Sequence, residues 1–420
     1  MNVMKRILWI AFGLAAGSVT ASAENWPMWR GPAGNGTTVE KDLPMEWSDT
    51  KNVTWKVPLP DPGNSTPVVW GDRIFVTQSV ETMRWLMCFD RKDGSLLWKE
   101  GVLYTGEDLT HKTNPHASSS PATDGEIVVV YFGSAGLHAF DLSGKKLWSR
   151  DLGVQRHIWG YGASPVIRGD VVYLNYGPGE NQGVVAVRKA TGEVIWKHKE
   201  PGGSSGEAGG KTWLGSWGDP MIRPVGDHEE LFIAYPGRVR GFDPKSGKEL
   251  WVCEGLNPLV YTSVNFADGV VLAMGGYNGH ALAVRPGGSG DVTKTHRVWL
   301  KEKTRQRIGS GVIHEGHIYI LTDPGIGECR SMETGELLWE ERLKGQGPTG
   351  QNWSSLGLSA DGLCYAANQG GDAFVFRASP KFELLATNPM GERIIGSIAV
   401  SDGQLFIRGH KHLFCIGERK

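Results

Sequence analysis

The side chains best suited to hold a small molecule stand in irregular stretches just ahead of short apolar runs. They are His111, Asn114, His116, Arg156, His157, Trp159, Tyr161, Trp213, Trp217, Tyr261, Arg305, Arg307, Asn352, Trp353 and Arg393. Aromatics mixed with Arg, His and Asn suit a planar, polar or sugar-like ligand, or a peptide segment, through stacking and forked hydrogen bonds. The expected binding set is His116, Trp159, Tyr161, Trp217, Tyr261, Arg307, Trp353 and Arg393. Basic residues Lys301, Lys303, Arg305 and Arg307 form one loop, and its two arginines would hold an acidic group. His410 and His412 would share one side of a strand, yet two ligands without a third give no zinc site. Asp90, Asp141 and Asp243 occupy repeated turns and read as structural. Gly309-Ser310-Gly311 is only a truncated nucleophile motif, so no catalytic residue and no metal ligand is assigned.

The elements that must position these residues are read from repeats. The stretch Cys88 to Trp98 recurs as Ala139 to Trp148, Ala186 to Trp196, Gly241 to Trp251, Ala283 to Trp299 with an insertion, and Arg330 to Trp339. Each copy reads as an apolar strand, a turn carrying Asp or Gly, and a second strand ending in Trp. Ahead of each lies another hairpin, so each unit has four strands. The inner hairpins follow Thr66, Ser120, Ser164, Asp219, Ser263, Ser310, Ser355 and Ser397, which makes eight units. Their hydroxyls read as interblade or backbone hydrogen-bonding groups rather than nucleophiles. The strand Asn52 to Val57 has no inner partners of its own, and the chain stops after Cys415 without an outer strand, so each completes the other. The expected fold is all-β, an eight-bladed β-propeller of four-stranded antiparallel blades closed by the N-terminal strand. Residues 1–23 read as a signal peptide, 24–51 as an N-terminal extension and 52–420 as the propeller.

The repeat A-x-D-x-x-T-G-x-x-x-W, best kept in Ala186 to Trp196 and Gly241 to Trp251, resembles the tryptophan-docking repeat of PQQ-type propellers. The segments Trp26-Pro27-Met28-Trp29-Arg30-Gly31-Pro32 and Leu43-Pro44-Met45-Glu46-Trp47 also resemble those of secreted PQQ-like repeat proteins. Two branches share the resemblance: quinoprotein alcohol dehydrogenases, and BamB-like non-enzymatic propellers. The enzyme branch implies pyrroloquinoline quinone, calcium with carboxylate and amide ligands, a base and a vicinal disulfide. No adjacent cysteines occur here, and the long loops hold few acids, so no cofactor is expected and pyrroloquinoline quinone with calcium is the alternative.

Composition narrows the partners. With 44 Lys+Arg against 45 Asp+Glu the chain has no positive excess for nucleic acid. Lys5, Arg6, the apolar run Ile7 to Ala16 and Ala21-Ser22-Ala23 read as an export signal cleaved near Ala23, too short to span a membrane. Five cysteines, an odd number without C-x-x-C spacing, read as buried small hydrophobes. The expectation is an exported, monomeric binding or scaffold module holding a protein, peptide or glycan on its irregular face. A dehydrogenase-like enzyme, or a propeller that binds or processes polysaccharide, is the alternative.

Overall fold

Short apolar runs buried on both faces, punctuated by turns with glycine at positive φ, give the middle strands of the repeats. The structure is a computed structural model and describes residues 24–204, 213–348 and 350–419. The signal-peptide expectation lies outside the described residues. Eight blades follow one another around an axis, each of four antiparallel strands, with a short fifth strand added to the fourth blade. The first blade runs from Val68–Trp70 to Leu96–Leu103, and the fourth from Met221–Val225 to Glu249–Glu254. The eighth comprises Ala399–Ser401, Gln404–Arg408 and His412–Ile416, with Val53–Pro58 as its outer strand. That strand pairs antiparallel, Lys56 opposite Phe414 and Pro58 opposite His412, so the N-terminal segment closes the ring.

The axis is circled by a closed chain of hydrogen bonds built from the eight residues that precede the inner strands. The N–H of Thr66 donates to Ser120 Oγ, Ser120 to Ser164, Ser164 to Asp219 Oδ1, Asp219 to Ser263, Ser263 to Ser310, Ser310 to Ser355, Ser355 to Ser397, and Ser397 back to Thr66 Oγ1, all at 2.7–3.1 Å. A hydroxyl short enough to reach one blade further explains why Ser or Thr recurs at seven of these positions.

Asp219 is the exception. Burial, opposed by the Ser164 N–H and the charge of Arg30, pushes its carboxyl up to about 8. The folded protein thus keeps a proton that the unfolded chain has lost. This group's contribution is fully present below about pH 4 and disappears as the pH rises through about 8. Asp219→Ser, which restores the hydroxyl, is expected to flatten the decline of melting temperature between neutral and mildly alkaline pH. An unchanged pH profile would show that Asp219 does not titrate there.

Outer strands are locked to their neighbours by tryptophan. The indole N–H groups of Trp55, Trp98, Trp148, Trp196, Trp299 and Trp339 donate to the carbonyls of Arg91, Leu142, Lys189, Pro244, Met332 and Ser379 in the next blade, at 2.7–3.1 Å. The turn glycine lets the ring lie flat on the backbone: Gly192 has φ +67°, and a Cβ there would sit 2.5 Å from the Trp148 ring. Trp251 departs from the pattern because the next turn carries the insertion. Its indole instead donates to Glu230 Oε2 at 2.6 Å, and the inserted Gly290–Asp291 adds a parallel fifth strand to its edge.

At the seam between the first and eighth blades two buried arginines reach across in opposite directions. Arg91 donates to Gln404 Oε1 and to Ser401, while Arg408 donates to Gln78 Oε1, Ser65 Oγ and the Thr77 carbonyl. All five cysteines are free and buried. No helix among the described residues is long and apolar enough to cross a membrane.

Candidate functional site

Residues 26–38 form no strand of the propeller, yet they run across the channel from the face of the short, regular turns. Trp26 exchanges backbone hydrogen bonds with Val69, Pro27 accepts from Thr123 N–H, and Gly36 and Thr38 bond to Leu358. Arg30, 3% exposed, donates to the carbonyls of Ser310 and Gly311 at 3.1 and 2.6 Å and to Asn265 Oδ1 at 3.3 Å. One peptide thereby ties together inner strands of the first, second, fifth, sixth and seventh blades. It also divides the channel. On its own side lies a small cavity of about 110 Å³ bordered by Arg30, Asp219 and Arg223. On the irregular face lies a larger one of about 410 Å³, with Trp29 among its lining residues.

The larger cavity opens among the long loops that lead into the inner strands, where binding groups concentrate. Of the expected binding residues, Trp159, Trp217, Tyr261, Arg307 and Trp353 line it. Trp217 and Tyr261 stack with ring centroids 4.6 Å apart and planes 15° from parallel. The Trp217 indole is fixed by a 2.9 Å bond to the Gly160 carbonyl. Tyr277 continues this aromatic wall, and the Arg307 guanidinium lies over its ring at 4.6 Å while its Nε sits 2.9 Å from Asp323 Oδ2. Next to Gly160, Trp159 packs against His111 and Trp213. Asn114 holds this loop by donating to the carbonyls of Trp159 and Tyr161. Burial raises the Tyr261 phenol, so it stays protonated across the physiological range.

His116, Tyr161 and Arg393 stand outside the cavity lining. His116 Nδ1 lies 3.3 Å from Asp108 Oδ2, with Arg84 beside them. Burial, then Arg84, lowers this imidazole to about 4, and burial raises Asp108 to about 6. Tyr161 is buried against Tyr131, its hydroxyl accepting the Ala117 N–H at 3.0 Å. Arg393 donates to Gln369 Oε1. Arg305 pairs with Glu340 at 2.7 Å. His412 bonds Glu392 at 2.9 Å, while burial lowers His410 to about 4. Among the described residues no group of three or more His, Cys, Asp or Glu stands together to hold a metal ion.

Several lining residues carry no repeat signal, among them Asn64, Lys112, Gln351 and Trp29. Trp29 was visible only as part of a Trp-rich N-terminal segment, and nothing in that segment's spacing points it into the channel. Tyr277 stands among glycines in a turn, a setting that by itself points to a backbone role, and its φ of +57° matches such a turn although the side chain lines the cavity.

A family model described as outer membrane protein assembly factor BamB matches residues 31–253 and 82–341, overlapping as a repeat protein allows. No curated protein sequence matches the chain significantly. Among solved structures, BamB from Moraxella catarrhalis is 14% identical with a TM-score of 0.60, covering 86% of this chain and 98% of its own. A europium-containing methanol dehydrogenase is 11% identical with a TM-score of 0.69, covering 93% and 90%. The quinohemoprotein alcohol dehydrogenase from Comamonas testosteroni is 13% identical with a TM-score of 0.67, covering 94% and 81%. At such identities the likeness to these structures is one of fold. The family match spans well over half of the chain, which therefore belongs to the PQQ-like β-propeller family of the outer membrane protein assembly factor BamB.

Proposed function

We propose that the protein is an exported propeller that binds its ligand or partner in the mouth cavity of the irregular face, as a binding or scaffold module. The observation that carries this reading is the cavity itself: about 410 Å³, walled by flat aromatic faces with a few polar groups between them. The BamB family match supports a protein-binding role, and an export role accords with the Lys5 to Ala23 pattern.

The dehydrogenase branch of the fold raises the question of a quinone with calcium. Flat rings such as Trp217 and Trp353 suit a planar cofactor. Calcium, however, takes six to eight oxygen ligands, usually with carboxylates among them. Among the described residues the cavity lining contains no acid, and Asp323, which touches the wall at Arg307, is already used by Arg307 and by the Asn352 N–H. The donor set does not fit the metal, so no redox step is assigned.

A ligand screen of the mature protein against quinone plus calcium, acidic glycans and periplasmic peptides tests the reading, with variants separating binding from folding. Trp353→Ala and Arg307→Ala are expected to weaken the best ligand on the order of thirtyfold, as truncating a central aromatic or arginine does. Trp217 is only 9% exposed and bonded to Gly160, so Trp217→Ala is expected to lower the melting temperature as well. Loss of stability with unchanged affinity per folded molecule in all three would make the cluster packing and remove the site. Quinone-dependent alcohol oxidation lost on the same substitutions would overturn the non-enzyme reading.

A further inference from the structure

We propose that the mouth cavity takes an acidic sugar one or two rings long, an assignment that rests on the mouth being the binding site. The cavity's described lining holds two cations and no acid, and its buried unpartnered indole donors, Trp159 Nε1 and Trp353 Nε1, face one buried unpartnered acceptor, Asn64 Oδ1. Ser120, Ser164, Ser355 and Ser397 line it, and each hydroxyl oxygen accepts one N–H of a neighbour in the axial ring. Their hydroxyl protons have no acceptor among the described residues. The two cations stand at the wall, the exposed Lys112 and Arg307, whose Nε is held by Asp323 at 2.9 Å.

A matching ligand must bring an excess of acceptors, and an oxyanion in particular, because unmet buried donors cost binding free energy. It must also present a flat apolar face to the stacked Trp217 and Tyr261 pair. A peptide backbone could bring the acceptors, since each carbonyl has two lone pairs, but it carries no saturated ring face to lie on the stacked pair. A uronic acid meets both demands: its ring C–H face lies on an aromatic plane, its ring and hydroxyl oxygens accept, and its carboxylate pairs with arginine or lysine. A volume near 410 Å³ suits one or two such rings.

Calorimetric titration of the mature protein with tetragalacturonate, neutral cellotetraose and tetraglutamate tests this. Tetragalacturonate is expected to bind at least about tenfold tighter than either of the others, with affinity falling as salt is raised. Lys112→Gln, at an exposed position that leaves folding intact, is expected to weaken it about threefold, and Arg307→Gln about tenfold or more, with cellotetraose weakened less by each. Equal or tighter binding of cellotetraose or tetraglutamate, lost in Trp353→Ala, overturns the acidic sugar and leaves the mouth as the site. Absence of any response to tetragalacturonate at about 10 mM also overturns the assignment, and a failed ligand screen besides would remove the site itself.

Discussion

Deletion of residues 24–60 is expected to abolish cooperative folding of the propeller. The segment buries Trp26, Leu43, Trp47, Trp55 and Leu59, all at most 8% exposed, within the core that joins the seventh, eighth and first blades. At roughly 1.5–3 kcal/mol for each buried large apolar side chain, their loss amounts to about 8–15 kcal/mol, comparable to the whole stability of an ordinary domain. The deletion also strips the outer strand from the eighth blade and bares the edge of His412–Ile416. Trp47 adds a bond from its N–H to Asn388 Oδ1 at 2.9 Å, and Trp55 reaches Arg91 across the seam. Circular dichroism melting of the truncated chain beside the full mature chain checks this. A cooperative transition within a few degrees of the full chain would show that the ring closes without its N-terminal strand.

The parts of this architecture written as repeats were legible, and the parts written once were not. Each axial-ring residue precedes an apolar strand, so eight hydrogen-bonding positions could be enumerated from the sequence, Asp219 among them. The closing strand was legible through incompleteness, since neither Val53–Pro58 nor the last three strands could satisfy its edges alone. The channel-crossing segment had no such cue. Its hydrogen bonds come from irregular backbone, and its packing depends on one arginine and on rings that could equally have covered the outside.

The mouth residues show a similar division. Trp217, Tyr261 and Trp353 each stand two positions before a ring residue, and all three line the cavity. Arg307 and Tyr161 both stand three before, yet one lines the cavity and the other is buried beneath the wall. The loop backbone decides: Gly160 at φ +68° and Ala117 at φ +63° bend the chain so that the Tyr161 hydroxyl meets the Ala117 amide. Sequence offset locates the loop, whereas such local turns choose which side chain faces the ligand.

Arg30→Ala is expected to destabilise the protein by about 3 kcal/mol and to move the Asp219-linked loss of stability to higher pH. The guanidinium serves the Ser310 and Gly311 carbonyls and Asn265 Oδ1, in two blades remote in sequence. Hydrogen bonds from a charged donor are worth about 1.5–3 kcal/mol each. Taking the guanidinium out of water offsets part of that sum; burial, only partly countered by Asp219, lowers its pKa to about 9. The net remains a loss because alanine leaves Asn265 Oδ1 unserved and a void beside Asp219, while the Ser310 and Gly311 carbonyls each fall back on one remaining donor, the Leu356 N–H and Asn265 Nδ2. Removing the positive charge also withdraws one of the two influences that hold the Asp219 pKa down, the other being the Ser164 N–H. The folded carboxyl then keeps its proton to higher pH than in the parent, and the alkaline decline shifts with it. Arg30→Lys keeps the charge without the planar fork, so it is expected to retain the parental pH midpoint while losing part of the stability. Melting curves from pH 5 to pH 10 on the three proteins read both effects. An Arg30→Ala profile displaced in stability but parallel in pH would show that Arg30 and Asp219 do not sense one another across the channel.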